Sequence, residues 1–493
     1  MNDSPTEPMP AGEPPAPRNG ALRNTFRALN HPNYRLFFGG QGISLIGTWM
    51  TRVATAWFVY EVSGQDWILG IVSFASQIPI LLLAPLAGVW VEGKSRLRVL
   101  VWTQVFSMLQ SFALATLAFS HWIEVWQIIA LAAIQGVINA VDTPARQAFV
   151  VEIVEDRRDL SNAIALNSSM FNGARLVGPA IAGVLYAQVG AGYCFLIDGI
   201  SYLAVIAALL AMRVKPHIKP VKPPHIWENL VEGFWYVYRQ QPLRSLFFLL
   251  GLVSVFGIPY STLMPVFAQK LAGDTRVNVA GASLPLPEGE GTVRRPIDAE
   301  QKSSLPLPKE MSRRGAQIYG FLLAASGLGA LSGALFLASR SSVIGLGRVI
   351  AFNSSMFGVS AIVFAFSPWL WLSLLSSFTA GFGMMAHMAA SNTIVQTVVH
   401  DDMRSRVMGF YTMTVLGMTP IGSLLAAGLV VLMGSPYTVA LGGGLSLLGA
   451  LYFIWRLPTL REASRPMLER AGVLPVVTGI QSATVAGESS VAN

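Results

Sequence analysis

Long apolar stretches separated by polar connections are the dominant pattern of this sequence. A helix rises about 1.5 Å per residue, so roughly 20 apolar residues cross about 30 Å of membrane hydrocarbon. Stretches of that length begin near Tyr34, Trp67, Leu97, Ile123, Leu160, Gly192, Leu243, Ala316, Val343, Pro368, Arg406 and Pro436. No period-two alternation typical of strands competes with them. The pattern therefore predicts an all-α, polytopic membrane protein with twelve transmembrane helices.

The distribution of charge predicts the orientation of these helices. Of all residues, 53% are hydrophobic and only 12% are charged. Connections around residues 61–66, 121–124, 190–192, 367–368 and 434–436 contain no Lys or Arg, whereas the alternate connections carry several. Short cytoplasmic loops retain Lys and Arg, so both termini are predicted to be cytoplasmic in a cell membrane. The formal net charge of +8 then reflects topology, and no nucleic acid partner is expected.

The spans divide into two groups of six. The predicted parts are a disordered tail 1–30, a six-helix bundle 31–213, a cytoplasmic linker 214–242, a second six-helix bundle 243–456 and a disordered tail 457–493. An insertion at about 273–314, on the predicted outer side, contains the pentapeptide Ser-Leu-Pro-Leu-Pro twice. We interpret this insertion as disordered because it has no helical or strand period. A binding lid is the alternative.

The linker between the bundles is predicted to contain one amphipathic helix. Apolar side chains recur there at helical spacing, at Trp227, Leu230, Val231, Phe234 and Tyr238. This spacing favours a helix lying at the cytoplasmic membrane interface. A helix packed on the bundle is the alternative. Cys194 is the single cysteine, so an intrachain disulfide is excluded, and no metal or other cofactor is expected.

Similar segments occur in the two bundles. Charged residues at 150–158 precede a span that contains Pro179, and charged residues at 397–404 precede a span that contains Pro420. Six-plus-six repeats are the architecture of many secondary transporters, whose substrate site lies at mid-membrane between the halves. The repeat therefore indicates alternating access, with Pro420 as one candidate hinge.

One segment matches a nucleotide-binding motif. Residues 88–95, from Gly88 to Ser95, satisfy G-x-x-x-x-G-K-[ST], the phosphate-binding loop of nucleotide hydrolases. That loop requires a strand before it and a helix after it, so that backbone N–H groups converge on the phosphates. Here a membrane span precedes the motif and another follows it within a few residues. The context disfavours an ATP-hydrolysing membrane protein, which stays as an alternative.

The same segment resembles the signature loop of the major facilitator superfamily, in which a Gly is followed by an acidic residue and a basic cluster. It runs over residues 88–98, between spans two and three. Glu92 stands where the family usually has Asp, Gly93 where it usually has Arg, and Ser95 where it usually has Gly or Asp. The resemblance implies the twelve-helix major facilitator fold and a conformational latch near Gly88.

The latch implied by this resemblance would join two spans. We expect a network of Glu92, Arg96 and Asp142 at the cytoplasmic side, with Arg146 placed i,i+4 from Asp142. The alternative is a solvated loop whose charges only set the topology.

Further motifs resemble the exporter branch that includes enterobactin and macrolide efflux proteins. They lie at residues 142–147, 162–167, 172–183 and 404–408. Gly178, Pro179 and Gly183 also resemble the fifth-span motif of drug/proton antiporters. Small residues permit close helix approach, and Pro frees a carbonyl and lets the helix bend, so these three positions are candidate hinge residues.

Charges inside the spans indicate a site, since each is costly unless it is paired or faces water. Arg52, Arg175 and Asp198 lie at similar depths, and one carboxylate cannot neutralise two guanidinium groups. The excess positive charge favours an acidic substrate, whereas a structural role for the arginines is the alternative. Asp198 and Asp142 are the candidates for proton coupling.

Polar stripes suggest which spans line a cavity. They comprise Gln41, Ser44, Thr48, Arg52 and Thr55 in the first span, Ser168, Asn172 and Arg175 in the fifth, and His387 and Asn392 in the tenth. We place Gln41, Thr48, Arg52, Asn172, Arg175 and His387 in the candidate substrate cavity. Histidine titrates near neutral pH, so His387 is either a coupling group or a hydrogen-bonded packing residue.

Taken together, the patterns favour a secondary transporter rather than an enzyme. The resemblance to the exporter branch implies export of a small amphipathic or acidic compound, siderophore-like, macrolide or drug-like, by proton-coupled alternating access. We expect a monomer whose partners are the small-molecule substrate, the lipid bilayer and protons. A receptor or scaffold that does not transport is the second alternative, and the polar stripes argue against it.

Overall fold

A computed structural model describes residues 26–120, 122–154, 156, 158–214, 226–257, 259–273, 309–340 and 342–470. Most of the N-terminal tail, the Lys/Pro stretch 215–225, insertion residues 274–308 and the tail from 471 lie outside the described residues. The same holds for the side chains of Glu92 and Trp227. Throughout the described ranges, all regular elements are helices.

Six long helices form the first half. They are α1 Pro32–Ser63, α2 Asp66–Glu92, α3 Arg96–Ser120, α4 Val125–Ile153, α5 Leu160–Val189 and α6 Ala191–Ala211. Glycines with positive φ end α1 at Gly64 (62°) and α5 at Gly190 (88°), where residues with a Cβ would be strained. Glu124 and Gln127 form a reciprocal capping box at the start of α4. The far-end turns are therefore sharply defined by local sequence.

The linker helix and the second half follow. They comprise α7 Ile226–Arg239, α8 Gln241–Leu252, α9 Pro259–Thr262, α10 Met264–Gly273, α11 Lys309–Ala338, α12 Leu346–Phe366, α13 Leu370–Val398, α14 Asp401–Thr412 and α15 Met418–Arg470. Two short π-helical segments, Val253–Gly257 and Met413–Gly417, interrupt the seventh and eleventh spans. Helix α15 bends at Gly434, where φ is 80°, and so supplies the end of span eleven and all of span twelve.

The twelve predicted spans are confirmed as helices. Within the described part of the chain, eight helices are long and apolar enough to cross a membrane, and the last of them, Asp402–Glu469, counts as two because of the bend at Gly434. The remaining spans are α1, α5 and α13, which are long but less apolar. These three carry the polar stripes of the sequence, which lower their mean hydropathy.

The connections give the bundle two different ends. Arg96, Arg158 and Arg213 lie at one end, which we call the basic end, and Glu61, Glu124 and Gly190 lie at the other, which we call the far end. The halves meet along two pairs of helices: α5 packs against α11, and α2 packs against α15. The space between these two seams separates the halves.

Several predicted boundaries are wrong. Helix α15 continues to Arg470, so residues 457–470 are helical rather than part of a disordered tail. Leu460 and Met467 are buried on one face of this extension, which accounts for its order. At the other terminus, Arg27–Asn30 form a 3-10 helix in which Arg27 pairs with Asp159. Helix α11 begins at Lys309, inside the predicted insertion.

The linker helix α7 packs on α14. Arg406 donates to Glu232 at 2.8 Å and to Asn229 at 3.2 Å, and the rings of Phe234 and Phe410 are 5.7 Å apart. Trp235, with Phe234 and Tyr238 on the same helix, remains about half exposed. One face of α7 is therefore packed on the bundle, as the alternative prediction for this helix stated. Aromatic side chains elsewhere on α7 remain partly exposed.

Candidate substrate and gating site

Two arginines from different spans share one aromatic ring. Arg52 on α1 and Arg175 on α5 lie with their guanidinium carbons 4.9 Å and 5.9 Å from the ring centre of Trp49. Phe171 packs edge-on against the same ring at 5.7 Å. Cation–π contact and packing therefore orient both guanidinium groups without neutralising either charge.

Neither arginine has an acidic partner among the described residues. Arg52 is exposed and Arg175 is partly buried. Arg175 also lies at the seam between the halves, since a Cβ atom at Gly327 of α11 would come within 3.0 Å of its carbonyl oxygen. The sequence predicted an excess of positive charge here, and the structure places two unpaired cations together.

Asp198 does not face this arginine pair. It is buried inside the first half, where Ser111 donates to its Oδ2 at 2.8 Å. Its Oδ1 lies against Gly47 of α1 and has no hydrogen-bond partner in the described part of the chain. Their similar depth in the membrane allowed a contact between Asp198 and Arg52 or Arg175. Among the described residues, no ion pair joins Asp198 to either arginine.

Asn172 lies one turn from Arg175 on α5. Its Nδ2 donates to the carbonyl of Ser168 at 2.9 Å, and its Oδ1 is buried without a partner within the described residues. An unsatisfied buried amide oxygen is costly unless water or a ligand donates to it. Asn172 is therefore placed to accept a hydrogen bond beside the arginine pair.

The polar stripe of α1 faces a different direction than predicted. Gln41 and Ser44 are almost fully buried, and Thr48 donates to the Ser44 carbonyl at 3.0 Å and lies 3.4 Å from the hydroxyl of Tyr202 on α6. Gln41 and Thr48 are thus interior residues of the first half. Arg52 is the exposed member of that stripe, because it lies on the edge toward Trp49.

His387 was also misplaced by the sequence. Only 1% of it is exposed, and its Nδ1 bonds to Ser354 of α12 at 2.8 Å. Ser354 donates to the Ile350 carbonyl, so it accepts from the Nδ1–H of histidine. The residue joins α13 to α12 within the second half. This is the packing role that we gave as the alternative to a coupling group.

A buried polar seam inside the first half was not recognised as a unit. Thr103 and Gln104 of α3 donate to Asp142 Oδ1 at 2.8 Å and 2.7 Å, and Arg146 pairs with Oδ2. Two turns farther along α3, Ser111 binds Asp198. This polar seam lies within the first half, apart from the two seams between the halves, and connects two buried carboxylates along α3.

The sequence contains a signal for this seam. Thr103, Ser107 and Ser111 recur every four residues and so share one face of α3. Ser107 accepts from Gln135 of α4 at 3.2 Å, between the two carboxylates. These short hydroxyl side chains were overlooked because the candidate site was predicted mainly from charged residues inside the spans.

The predicted Glu92, Arg96 and Asp142 network has different partners. Arg96 donates to Glu152 at 3.0 Å rather than to Asp142, because α3 begins at Arg96 beside the end of α4. The side chain of Glu92 lies outside the described residues. Two separate charge pairs, Arg96 with Glu152 and Arg146 with Asp142, replace the single network near the basic end.

The nucleotide motif adopts a helix. Gly88 lies within α2, which continues to Glu92. In the turn that follows α2, the N–H of Lys94 donates to the carbonyl of Val91 at 3.0 Å. The backbone N–H groups of residues 88–92 are therefore committed to the helix ladder and cannot converge on phosphates. This geometry contradicts the phosphate-loop interpretation.

Contacts between the halves close the far end. The indole of Trp57 donates to Ser312 at 3.3 Å and stacks on Tyr319 at 6.2 Å. Ser73 lies 3.0 Å from Ser423, and Ser435 donates to Asp66. Trp57 is one and a half helical turns beyond Arg52, so this closure lies just above the arginine pair.

Glycines allow the backbones to approach at this closure. A Cβ atom at Gly183 would lie 2.9 Å from the Ala316 carbonyl and 3.0 Å from the Cα of Gly320. Gly178 instead faces α1, beside Trp49 and Ile46. The fifth-span glycines are therefore close-approach positions, one toward α1 and one toward the other half.

The halves separate toward the basic end. Helix α14, the basic-end part of span eleven, packs on α7 and α13. The contact of span eleven with α2 starts only at the π segment Met413–Gly417, where Leu81 meets Gly417, and continues along α15. The contacts of span eleven with α2 thus lie mainly on the far-end side of the π segment, and the Trp57 contacts lie at that end as well.

Comparison with known families agrees with this arrangement. Residues 23–280, more than half of the chain, match the family described as transmembrane secretion effector. Residues 307–485 match the family described as the Major Facilitator Superfamily. The chain belongs to the major facilitator superfamily. The family resemblance stated from the sequence is confirmed.

Individual relatives of this major facilitator protein are transporters. The staphyloferrin A transporter of Staphylococcus aureus is 26% identical over 397 residues, which cover 79% of this chain and 88% of the relative. The multidrug efflux pump Tap of Mycolicibacterium fortuitum is 25% identical over 430 residues, or 85% of this chain and 95% of the pump. The chain is therefore a multi-pass membrane transporter related to efflux proteins.

A solved structure shares the fold. It is a bacterial homolog of the human lysosomal transporter Spinster, in an inward-facing and unoccupied conformation. The TM-score is 0.55 at 14% identity, over 91% of this chain and 99% of that chain. At this identity the likeness shows the fold alone.

Two spans of this major facilitator transporter contain irregular helical segments. The π segment Val253–Gly257 interrupts span seven, and Met413–Gly417 interrupts span eleven just before Pro420. Proline cannot donate to the helix ladder, and π segments accommodate the resulting mismatch. Gly422, five residues beyond the second π segment, packs directly against the Val255 carbonyl, so span eleven touches the π segment of span seven.

Proposed function

We propose that this transporter is a secondary active exporter that moves a small acidic or amphipathic compound by alternating access. The observation that carries the proposal is the pair Arg52 and Arg175, two cations that share Trp49 and have no acidic partner among the described residues. They lie beneath the far-end contacts of Trp57. We propose that a substrate enters between the halves from the basic end and reaches the arginines at the inner end of that path.

The charge of the site favours an anionic group on the substrate. Guanidinium groups bind carboxylates in a planar, two-bonded geometry, and a buried cation is stabilised most by an anion that desolvates with it. Asn172 supplies an acceptor for a hydroxyl or amide N–H next to that anion. One relative transports staphyloferrin A and another is a multidrug efflux pump, so siderophore-like acids lead the candidates, followed by macrolides and other drug-like compounds.

The proposed cycle is a rocking of the two halves about the α5–α11 and α2–α15 seams. In the described state Trp57, Ser312, Gly183 and Gly320 hold the far end closed. Opening that end requires the glycine contacts to part and the basic end to close. Pro179, Pro420 and the π segments are the proposed bending points, because their backbone hydrogen bonds are already incomplete.

Proton coupling is proposed to use the buried seam of the first half. Asp198 and Asp142 are both nearly inaccessible, and hydroxyl side chains of α3 lie between them. A carboxyl that lacks a cationic partner, as Asp198 does in the described part of the chain, is least costly when it is protonated. We propose that protonation of Asp198 alternates with substrate binding at the arginines.

The orientation follows from the positive-inside rule. We propose that the basic end faces the cytoplasm of a cell whose plasma membrane holds the protein, with both termini inside and a monomer as the working unit. The pairs Arg96 with Glu152 and Arg146 with Asp142 then lie at the cytoplasmic gate. We propose that the Gly88 loop and Glu92 join them as a latch when that gate closes.

Transport into liposomes tests the proposal. The purified protein is reconstituted with an imposed proton gradient and no nucleotide, and carboxylate siderophores, macrolides and cationic dyes are assayed. We expect acidic compounds to accumulate against their gradient until the proton gradient is collapsed. Transport that needs ATP and is lost in Lys94→Ala would contradict the proposal in favour of a nucleotide hydrolase. Saturable binding without transport would contradict it in favour of a receptor or scaffold.

A further inference from the structure

A cleft opens on the outside of the first half, away from the arginine pair. Helices α2 and α3 both pack on α4 but barely touch each other, and the gap between them has a volume of about 710 Å³. The α2–α3 turn forms its upper rim at the basic end, with Gly93, Lys94 and Ser95. Residues of α4 such as Val137 and Val141 form its floor.

The mouth of the cleft carries two free cations. Lys94 and Arg98 line it and are exposed, and no described acidic side chain pairs with either. The basic residues beside them differ in this respect, since Arg96 is paired with Glu152. Among the described side chains, the rim therefore presents an unneutralised charge of about two together with the Ser95 hydroxyl, a set suited to a phosphate group.

The wall below this mouth is aromatic and apolar. Trp90, Trp102 and Phe106 line it and are 54%, 60% and 52% exposed. Arg98 and Phe106 are eight residues apart on α3, so the wall continues for about 12 Å beneath the cations. Exposed side chains of this size on a membrane helix contact lipid, and tryptophan favours the level of the headgroups.

A soluble phosphate compound fits this cleft poorly. The backbone N–H groups of residues 88–92 are committed to α2, so only side chains remain to bind a phosphate. Beneath the cations the lining offers an apolar wall instead of polar partners for a sugar or base. Charge at the rim and a long apolar wall below it match an amphiphile with an anionic head and an acyl chain.

We propose that the α2–α3 cleft binds one anionic phospholipid of the leaflet at the basic end. Its phosphate and headgroup lie between Lys94, Arg98 and Ser95, and one acyl chain lies along Trp102 and Phe106. The site is independent of the substrate cavity, because it faces the membrane rather than the space between the halves. It also assigns a role to Lys94 of the nucleotide-like motif.

Native mass spectrometry of the delipidated full-length protein tests this assignment. Dioleoyl phosphatidylglycerol is titrated into the wild type and into the Lys94→Gln/Arg98→Gln variant. We expect the first bound lipid to be held roughly 30-fold more weakly by the variant, from about 1 kcal/mol for each basic residue near an anionic group. The matched control is Arg348→Gln/Arg461→Gln, which removes two exposed charges from the same end, and its affinity should stay within about threefold of wild type.

Two results would overturn the assignment. An equal loss in both double variants would mean that total charge, rather than this cleft, attracts the lipid. Binding of glycerol phosphate, inorganic phosphate or ATP as tightly as the intact lipid would mean that the acyl wall contributes nothing. The variant Trp102→Ala is a separate test, because it removes part of the apolar wall and no charge. This variant should bind the intact lipid several-fold more weakly, and its weak binding of glycerol phosphate should stay unchanged.

Discussion

The two halves of this transporter share a fold and differ in their chemistry. The first half contains two nearly inaccessible carboxylates, Asp142 and Asp198, and presents Arg52 and Arg175 beside the seam. In the described spans of the second half, His387 is the one Asp, Glu, His, Lys or Arg side chain away from the ends, and it bonds to Ser354. Charge recognition and proton chemistry are therefore proposed for the first half.

The second half carries the irregular backbone instead. Its seventh and eleventh spans contain π segments, and Gly422 of α15 packs against the first of them, whereas the first six helices have no such segment in their described residues. Breaks in a helix lower the cost of bending. The comparison suggests that the first half binds the substrate and that more of the bending occurs in the second half.

The largest expected effect is at the arginine pair. Replacing Arg52 and Arg175 by Gln removes both cations and keeps side chains of similar reach. A hydrogen bond to a charged group contributes about 1.5–3 kcal/mol, so affinity for an acidic ligand should fall by roughly 100-fold or more. Equilibrium binding of that ligand and of its neutral amide measures the effect.

The control for this prediction is Arg313→Gln/Arg314→Gln, an equal charge loss at exposed far-end positions. It should leave both affinities near wild type. Equal losses of affinity for the acid and its amide in the Arg52/Arg175 variant would mean that the arginines have a structural role. Recognition of the substrate's charge could then not be assigned to the first half.

The next effect concerns the far-end closure. Gly183→Ala places a Cβ atom about 3.0 Å from Gly320 Cα, and overpacking of this kind costs about 1–3 kcal/mol. The ligand-free protein should therefore shift about tenfold or more toward far-end opening. Spin labels at Gln65→Cys and Trp369→Cys, in a Cys194→Ser background, report the far-end distance.

Gly173→Ala is the matched control in the same helix, because nothing lies within 4 Å of its Cβ position. It should leave the distance distribution unchanged. An identical distribution in Gly183→Ala would show that the α5–α11 contact can relax there, and the closure would then depend on the side-chain contacts of Trp57, Ser73 and Ser435.

A third prediction tests whether coupling belongs to the first half. One proton exchanged per substrate across one pH unit supports about tenfold accumulation. Asp198→Asn should reduce accumulation to about onefold while downhill exchange continues, since the arginine pair is untouched. Radiolabelled uptake with and without a pH gradient measures both. Accumulation that survives with its pH dependence intact would exclude Asp198 as the coupling group.

The smallest expected effect is in the second half. His387→Gln keeps a polar side chain against Ser354, so transport and its pH dependence should change less than twofold. Loss of one buried hydrogen bond should lower the free energy of unfolding by about 1 kcal/mol, visible as a lower melting temperature. A shifted pH profile in this variant would assign coupling to the second half and break the comparison.

Much of the fold was predictable because membrane spans depend on local composition. Twelve apolar stretches and the six-plus-six division follow from hydropathy and length, without any long-range contact. The error at residues 457–470 arose because their helix is stabilised by burial of Leu460 and Met467, which sequence spacing alone did not reveal. Tertiary packing determined the parts that were wrong.

The candidate site was only partly predictable. Arg52 and Arg175 were found because an unpaired charge in a span is conspicuous, whereas Gln41, Thr48 and His387 were misplaced because polarity does not tell which neighbour a face meets. The partner of Arg96 depends on where α4 ends in space, so Glu152 was missed. Rotation about the helix axis is the missing information in each case.

A structure of the transporter with an acidic ligand tests the central claim most directly. The account predicts that the ligand's anionic group lies between the guanidinium groups of Arg52 and Arg175, beside Trp49 and below the Trp57 closure. A ligand bound within the second half, or with its acidic group in contact with neither arginine, would contradict it.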